Sequence, residues 1–495
     1  MNKIFKLLMR KNCIKHILLF FLILVGYVLN SCLVKENTIE TIESIMILIC
    51  IGIFIYSVRL IAQNGMNLIK LCNLIILIGL VIRIGYMLYT PCYVRSHDLY
   101  LGEINSGGHA GYILNILEGH LPKSNKLQYY HPPLYYILTA ITIRIVNIFT
   151  NPKDVMDMIN GAKVISCFAS CSILFIYNDI MKELNFKEKS KIISITFVSF
   201  LPNFFLLAGR VNNDSLSIFF ISLCILYSIR WYKECNYKNT IMLAVSFGLG
   251  MMTKISVASF AFITGTLMII KMYKLIKEKE LISLIKKLCV FILISFPLGL
   301  GYLIRNYILF NQPFNYVLDI KTRGDMYCGG YSFFERFINL PFKRIITPLY
   351  NNPLGDYNTI IYLLKGGVFG EFKYSINSII PTILLIAFIL LNICSIMAII
   401  IYIINKKEDK LEKFILVSTI GVFYILYICF NIKYPYTCTM DYRYIVPIAI
   451  SQGLILGRAY EIVKKYKWSK VYNIIVSVIL AVFAIFSTVM FCGIK

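Results

Sequence analysis

The chain has 495 residues, 58% hydrophobic and 15% charged, and its 50 Lys and Arg against 25 Asp and Glu give a formal net charge of +25. Apolar runs of about 20 residues recur from end to end, the length a helix needs to cross a bilayer, which excludes a soluble globular enzyme and a disordered chain. The basic excess lies in short clusters between those runs rather than on one soluble face. That is the positive-inside pattern of an all-α polytopic membrane protein, and it argues against a nucleic-acid partner.

Lys3, Lys6, Arg10 and Lys11 precede the first apolar run, about 13 to 34. The run is longer than a signal-peptide core and lacks a small-residue cleavage site, so it reads as a retained helix with a cytoplasmic N-terminus. Runs at about 44 to 62 and 68 to 90 complete three spans, and the chain then emerges on the extracytoplasmic side. There lies Tyr93 to Leu138 (YVRSHDLYLGEINSGGHAGYILNILEGHLPKSNKLQYYHPPLYYIL), the first long stretch that is not simply apolar. It gathers Asp98, Glu103, Glu118 and four of the five histidines: His97, His109, His120 and His131. Charge of that density beside a membrane is costly unless it serves a site.

The next run, 132 to 149, decides the topology. If it spanned, Lys182, Lys187, Lys189 and Lys191, and every later basic cluster, would lie outside. If it lies at the outer interface as a juxtamembrane helix, all of them fall inside, and orientation follows Lys and Arg in short loops. The interfacial reading is therefore adopted, and Arg144 in mid-run agrees with it. Spans then follow at about 161 to 181, 191 to 208, 214 to 231, 239 to 253, 256 to 273, 285 to 308, 380 to 404, 413 to 432, 443 to 462 and 470 to 492. The expected total is about thirteen transmembrane helices, with an extracytoplasmic C-terminus. The chain divides into an N-terminal tail and hairpin (1–67), a core (68–308) with a first external loop (91–160), a second external loop (309–379) and C-terminal helices (380–495). No fixed-period repeat or soluble domain is evident.

With this topology the unusual polar residues share one membrane face. They are Asp98; Arg210, Asn212, Asn213 and Asp214 in LAGRVNNDSLS; Lys254 in MMTKIS; Arg305 in YLIRNY; Glu371 in GGVFGEF; and Asp441 and Arg443 in TMDYRYIVP. Asp98 suits a general base, or else a solvated carboxylate paired to Arg95. His131 precedes Pro132 and Pro133 at a helix entrance and could meet a phosphate or sugar hydroxyl, or serve as a cap. Arg210, Lys254, Arg305 and Arg443, and Arg83 likewise, either snorkel or bind an anionic head group. Asp214 suits a helix cap. His97, Asp98, Glu103 and His109 could together ligate a divalent ion, although their spacing matches no metal motif and no cofactor is otherwise implied. Most of the 15 cysteines fall in apolar runs; Cys92, Cys328 and Cys438 lie in polar loops, and whether Cys328 and Cys438 pair is left open by spacing.

An acidic residue after an early span, a loop closing on YYHPPLYYIL, then LPNFFLLAGRVNNDSLS, a TK at a span end and a late DYRYIVP resemble membrane glycosyltransferases of the GT-C superfamily. The nearest group is similar to family 39, related to protein O-mannosyltransferases and to the transferase that adds aminoarabinose to lipid A. The resemblance runs from about Leu68 onward, with the first two spans as an added hairpin. It implies a sugar donor on a polyprenyl phosphate, inverting transfer on the outer face to a glycan, lipid or protein acceptor, and a catalytic acid residue in the first external loop. Asp98 matches that residue. The family's paired Asp-Glu is replaced by His97-Asp98, with Glu103 five residues on, which leaves the role of Glu103 and any metal open. The expectation is therefore a glycosyltransferase with Asp98 and Glu103 as catalytic candidates. His131, Arg210, Asn213, Asp214, Lys254, Arg305, Asp441 and Arg443 are then candidates for binding donor phosphate or substrate. A transporter or flippase of lipid-linked sugars, a glycan ligase and a non-catalytic scaffold are the rivals; a transporter should show repeated halves and polar groups at mid-membrane.

Overall fold

A computed structural model describes residues 11–33, 38–64, 67–103, 106–276, 280–318, 324–346, 356–372, 379–406 and 409–493. Lys3, Lys6 and Arg10 of the N-terminal cluster lie outside the described residues, as does Arg323 of the second loop. The fold is all-α: among the described residues the one strand pairing is two residues long, Ser106–Gly107 parallel to Lys126–Leu127. Among the described residues ten helices are long and apolar enough to cross a membrane, eleven if a bent pair is taken as one span. Two expected spans are shorter helices, Tyr237–Thr253 of 17 residues and Ile448–Ile462 of 15. At 1.5 Å per residue these reach about 25 and 22 Å, less than the ~30 Å of hydrocarbon. The second starts at Ile448 rather than near residue 443 because Thr437–Met440 and Tyr442–Tyr444 are wound into 3-10 turns, which keep Asp441 and Arg443 out of the helix.

The bent pair is Glu188–Phe200 followed by Pro202–Ala208, with 48° between them. Leu201 before the proline takes an extended conformation, as steric conflict with the pyrrolidine ring demands. A continuous helix would have closed bonds onto the carbonyls of Val198 and Ser199. Instead Arg83, fully buried on Leu68–Tyr89, supplies the missing donors: Nη1 to Ser199 O at 2.9 Å and Nη2 to Val198 O at 3.0 Å. Its Nη1 also reaches Gly79 O at 2.8 Å, and Nε reaches Ser170 Oγ at 3.2 Å. Arg83 therefore neither snorkels nor faces a head group. It repairs a break whose far arm leads directly into Gly209 and Arg210.

The two ends of the bundle differ in character. At one end the basic clusters are tied together: Lys15 and Lys182 flank Asp179 at 2.6 and 3.2 Å, and Arg230 meets Glu183 at 2.7 Å. Arg458 forks onto Glu412 at 2.6 and 2.7 Å and donates to Leu184 O, while Lys413 reaches Asn405 O at 2.7 Å. At the other end lies the 91–160 segment, which contains the helices His109–Leu117, Leu134–Phe149 and Val155–Asn160. Leu134–Phe149 is about 24 Å long, too short to span. Tyr135, Tyr136, Thr139, Ile143 and Val146 are buried on one face while Ile141, Ile148 and Phe149 are exposed. That amphipathic division suits a juxtamembrane helix, and Arg144 secures it by donating to Leu117 O at 2.6 Å. Cys92, Cys328 and Cys438 are free thiols.

Arg83→Met should destabilise the protein by about 3 kcal/mol, because it leaves the Val198 and Ser199 carbonyls buried without donors. Thermal unfolding of the purified variant in detergent measures this, and an unfolding temperature equal to that of the unsubstituted protein would contradict it.

Candidate functional site

The first loop delivers Asp98 through a tight turn. Arg95 and Asp98 both have positive φ, 51° and 58°, a conformation that L residues hold only where the surroundings impose it. The surroundings are the start of His109–Leu117. The His109 N–H donates to Asp98 O at 2.7 Å, and Gly108 N–H donates to Tyr100 O at 3.0 Å. A side chain at Gly108 would collide with the Asp98 carbonyl, so the glycine is what permits this docking. The Asp98 carboxylate is half-buried and makes no hydrogen bond or ion pair with the described residues.

Around this turn stand cations brought by segments remote in sequence. Arg210, buried, has Nη1 4.0 Å from Asp441 Oδ2 and its guanidinium 4.4 Å over the Phe372 ring. Arg443 has Nε 3.2 Å from the same Asp441 oxygen and donates through Nη2 to Tyr444 Oη at 3.2 Å, while its backbone N–H caps Asp441 Oδ1 at 3.1 Å. Lys254 pairs with Asp214 and lies 5.4 Å over the Tyr444 ring. Asn213 Nδ2 donates to Thr253 O at 3.2 Å, joining the NND segment to the TK segment. Asp214 thus begins its helix but acts as the partner of Lys254.

From the second loop, Glu371 Oε2 comes within 3.1 Å of His97 Nε2, and the His97 ring stacks on Phe372 at 4.9 Å. Burial pushes the Glu371 carboxyl above the usual range, and Asp441 adds to the effect. Burial opposes the charge on Arg443, yet Tyr444, Asp441, Asp214 and Glu371 together raise its pKa well above the ordinary value. His109 and His131 stack 6.0 Å apart, and His109 Nδ1 is 2.9 Å from Tyr136 Oη. Burial pushes both histidines down, His109 to about 4, so both are neutral near pH 7.

Seven buried polar atoms in this one region lack a hydrogen bond: His97 Nε2, His131 Nδ1, Arg210 Nε and Nη1, Glu371 Oε1, Asp441 Oδ2 and Arg443 Nε. Folded proteins satisfy nearly all such atoms. Their concentration beside the Asp98 carboxylate gives this region, the chamber, an unusual density of unsatisfied polar atoms.

Other candidates lie apart from it. Glu103 is exposed, and its main chain turns onto Ser106. Arg305 donates to Pro122 O at 2.8 Å and packs over Tyr302 and Phe310, tying its helix to the first loop. Among the described residues no three His, Cys, Asp or Glu are placed to hold a metal ion. Of the four read as potential ligands, His97 faces Glu371, His109 faces Tyr136 and Glu103 points to solvent. Residues not singled out from sequence are Phe372 and Tyr444, together with the partnership of Glu371 and His97. The signal was the Gly-Glu-Phe closing an apolar run, where a buried acid calls for a partner.

Residues 130–299 match the family described as dolichyl-phosphate-mannose-protein mannosyltransferase. No curated protein matches the chain. The matched stretch contains Tyr130, His131, Arg210, Asp214 and Lys254, while His97, Asp98, Glu371, Asp441 and Arg443 lie outside it. The match agrees with the GT-C, family 39-like resemblance over that part of the chain, and the membrane-length helices make the chain a multi-pass membrane protein.

The buried histidines carry a pH dependence of stability. A group whose folded pKa is depressed adds stability above its unfolded pKa and loses it as pH falls. For His109 that window runs from 6.5 down to about 4. The unfolding temperature should fall as pH drops through this range, and His109→Gln should flatten the fall; an identical slope in the variant would contradict the assignment.

Proposed function

We propose that this glycosyltransferase moves a sugar from a polyprenyl-phosphate donor to an acceptor hydroxyl at the extracytoplasmic face, with inversion, and that Asp98 is the base. The observation that carries the proposal is the pairing of an uncommitted carboxylate with buried guanidinium donors that lack hydrogen bonds. Such a set needs an anionic ligand to complete it, and charge-assisted contacts to phosphate are the strong ones.

The chemistry divides between the two parts. The acceptor oxygen attacks the anomeric carbon while its proton passes to Asp98; the bond from that carbon to the phosphate oxygen breaks, and lipid phosphate departs with the electron pair. Negative charge therefore builds on the leaving phosphate. Arg210 and Arg443, with Lys254 held by Asp214, are the cations that stabilise it. Asp441 spaces and orients the two guanidinium groups. His131, neutral and with Nδ1 uncommitted, is suited to a hydroxyl of the sugar rather than to the phosphate. His97-Asp98 replaces the paired Asp-Glu of the family pattern, and His97 meets Glu371 at 3.1 Å. The reaction as written balances without a metal.

The test is transfer from a panel of polyprenyl phosphosugars by the protein in liposomes, with the product's anomeric configuration determined. Asp98→Asn should lower turnover by about 10²- to 10⁴-fold. Arg210→Gln and Arg443→Gln should raise the KM for donor. An Asp98→Asn protein that transfers at the unsubstituted rate would refute the base, and transbilayer movement of intact donor without a glycosylated product would favour a transporter.

A further inference from the structure

The three residues Gly370, Glu371 and Phe372 join the first loop to the end of the bent helix pair. Gly370 ends the helix Thr359–Phe369 with φ of 61°. A Cβ there would stand 3.1 Å from Arg210 Nη2 and 3.2 Å from Leu206 Cδ1, so glycine lets the chain turn hard against the guanidinium. Glu371 then reaches His97 at 3.1 Å. Phe372 presents its ring to two groups at once, the His97 imidazole at 4.9 Å and 17° and the Arg210 guanidinium at 4.4 Å. His97 immediately precedes Asp98, whose left-handed backbone is held by its surroundings rather than by preference.

The histidine that precedes the first-loop carboxylate and the cation at the end of the bent helix pair are thus both contacted by one tripeptide from the second loop. Glu371 Oε1 and His97 Nε2 are buried without hydrogen bonds, so the contact rests on the 3.1 Å approach of the two side chains and on ring stacking. A guanidinium over an aromatic face is attracted to the ring, and a shift of Arg210 toward a bound phosphate would be felt directly by Phe372.

We propose that Glu371 and Phe372 form a clasp that couples occupancy of the Arg210 phosphate position to the placement of Asp98, which makes them positioning residues for transfer. This rests on the function proposed above and adds to it a way for donor binding to set the base. Neither residue exchanges a proton or bond with substrate.

Hydrogen exchange and kinetics together test it, using the full chain in nanodiscs with a polyprenyl phosphate as the probe. In the unsubstituted protein, lipid phosphate should slow exchange of the amides around 97–100. In Glu371→Gln and in Phe372→Leu the lipid should still bind while that protection is lost, and turnover should fall by as much as about a hundredfold, the scale for a misplaced catalytic group. His97→Gln combined with Glu371→Gln should be no worse than either alone, since both break one contact. Retained protection in both single variants, or strictly additive losses in the double variant, would overturn the clasp. Asp98→Asn separates this outcome from failure of the underlying reading: an inactive Asp98→Asn with intact protection in the clasp variants would leave the transferase standing and remove the coupling. Lipid phosphate that does not bind the unsubstituted protein would remove both.

Discussion

A charge held beside hydrocarbon must find compensation within the protein, and this structure answers that constraint in two ways. At the basic end the answer is complete. Arg458 forks onto Glu412, Arg230 meets Glu183, and Lys15 and Lys182 share Asp179. In the interior it is also complete, since all three guanidinium nitrogens of Arg83 are bonded. At the end carrying the first loop it is deliberately partial: cations and carboxylates are mutually close, yet several of their polar atoms lack aligned partners. Buried ion pairs gain little net stability even when well made, and incomplete ones cost more. A region that tolerates such a cost is where a ligand is expected to complete the set.

The bent helix pair connects this electrostatic picture to the fold. Pro202 breaks the helix, Arg83 restores the donors the break removes, and the redirected arm carries Arg210 to the chamber. Close packing sustains the redirection, because Gly209 approaches the Tyr86 ring nearer than any side chain would allow. The Asp98 turn depends on the same kind of allowance at Gly108. Two glycines and one proline thus aim the two groups on which the proposed chemistry relies.

Much of this was legible in the chain itself. Apolar run lengths marked the spans, and the clustering of Lys and Arg placed Leu134–Phe149 at an interface before its length and exposed Arg144 did. The convergence of Asp98, Arg210, Lys254, Asp441 and Arg443 followed from topology alone. Partnerships between remote side chains were not legible. Arg83 and Arg305 share residue type and span position with Arg210, yet one mends a helix break and the other anchors a loop. Nothing periodic encodes which carbonyl a guanidinium will meet. The contact of His97 with Glu371 spans more than 270 positions and becomes visible only once both loops are folded.

The central claim is that the chamber between the two loops receives a lipid-linked phosphate. The most direct measurement is a cryo-EM structure of the protein in nanodiscs with a polyprenyl phosphate. The account predicts phosphate density against Arg210 and Arg443, near Lys254, with the lipid tail leaving between helices and Asp98 facing the position of the sugar. Phosphate density among Arg230, Lys413 and Arg458 at the opposite end, with the chamber around Asp98 unchanged, would contradict it.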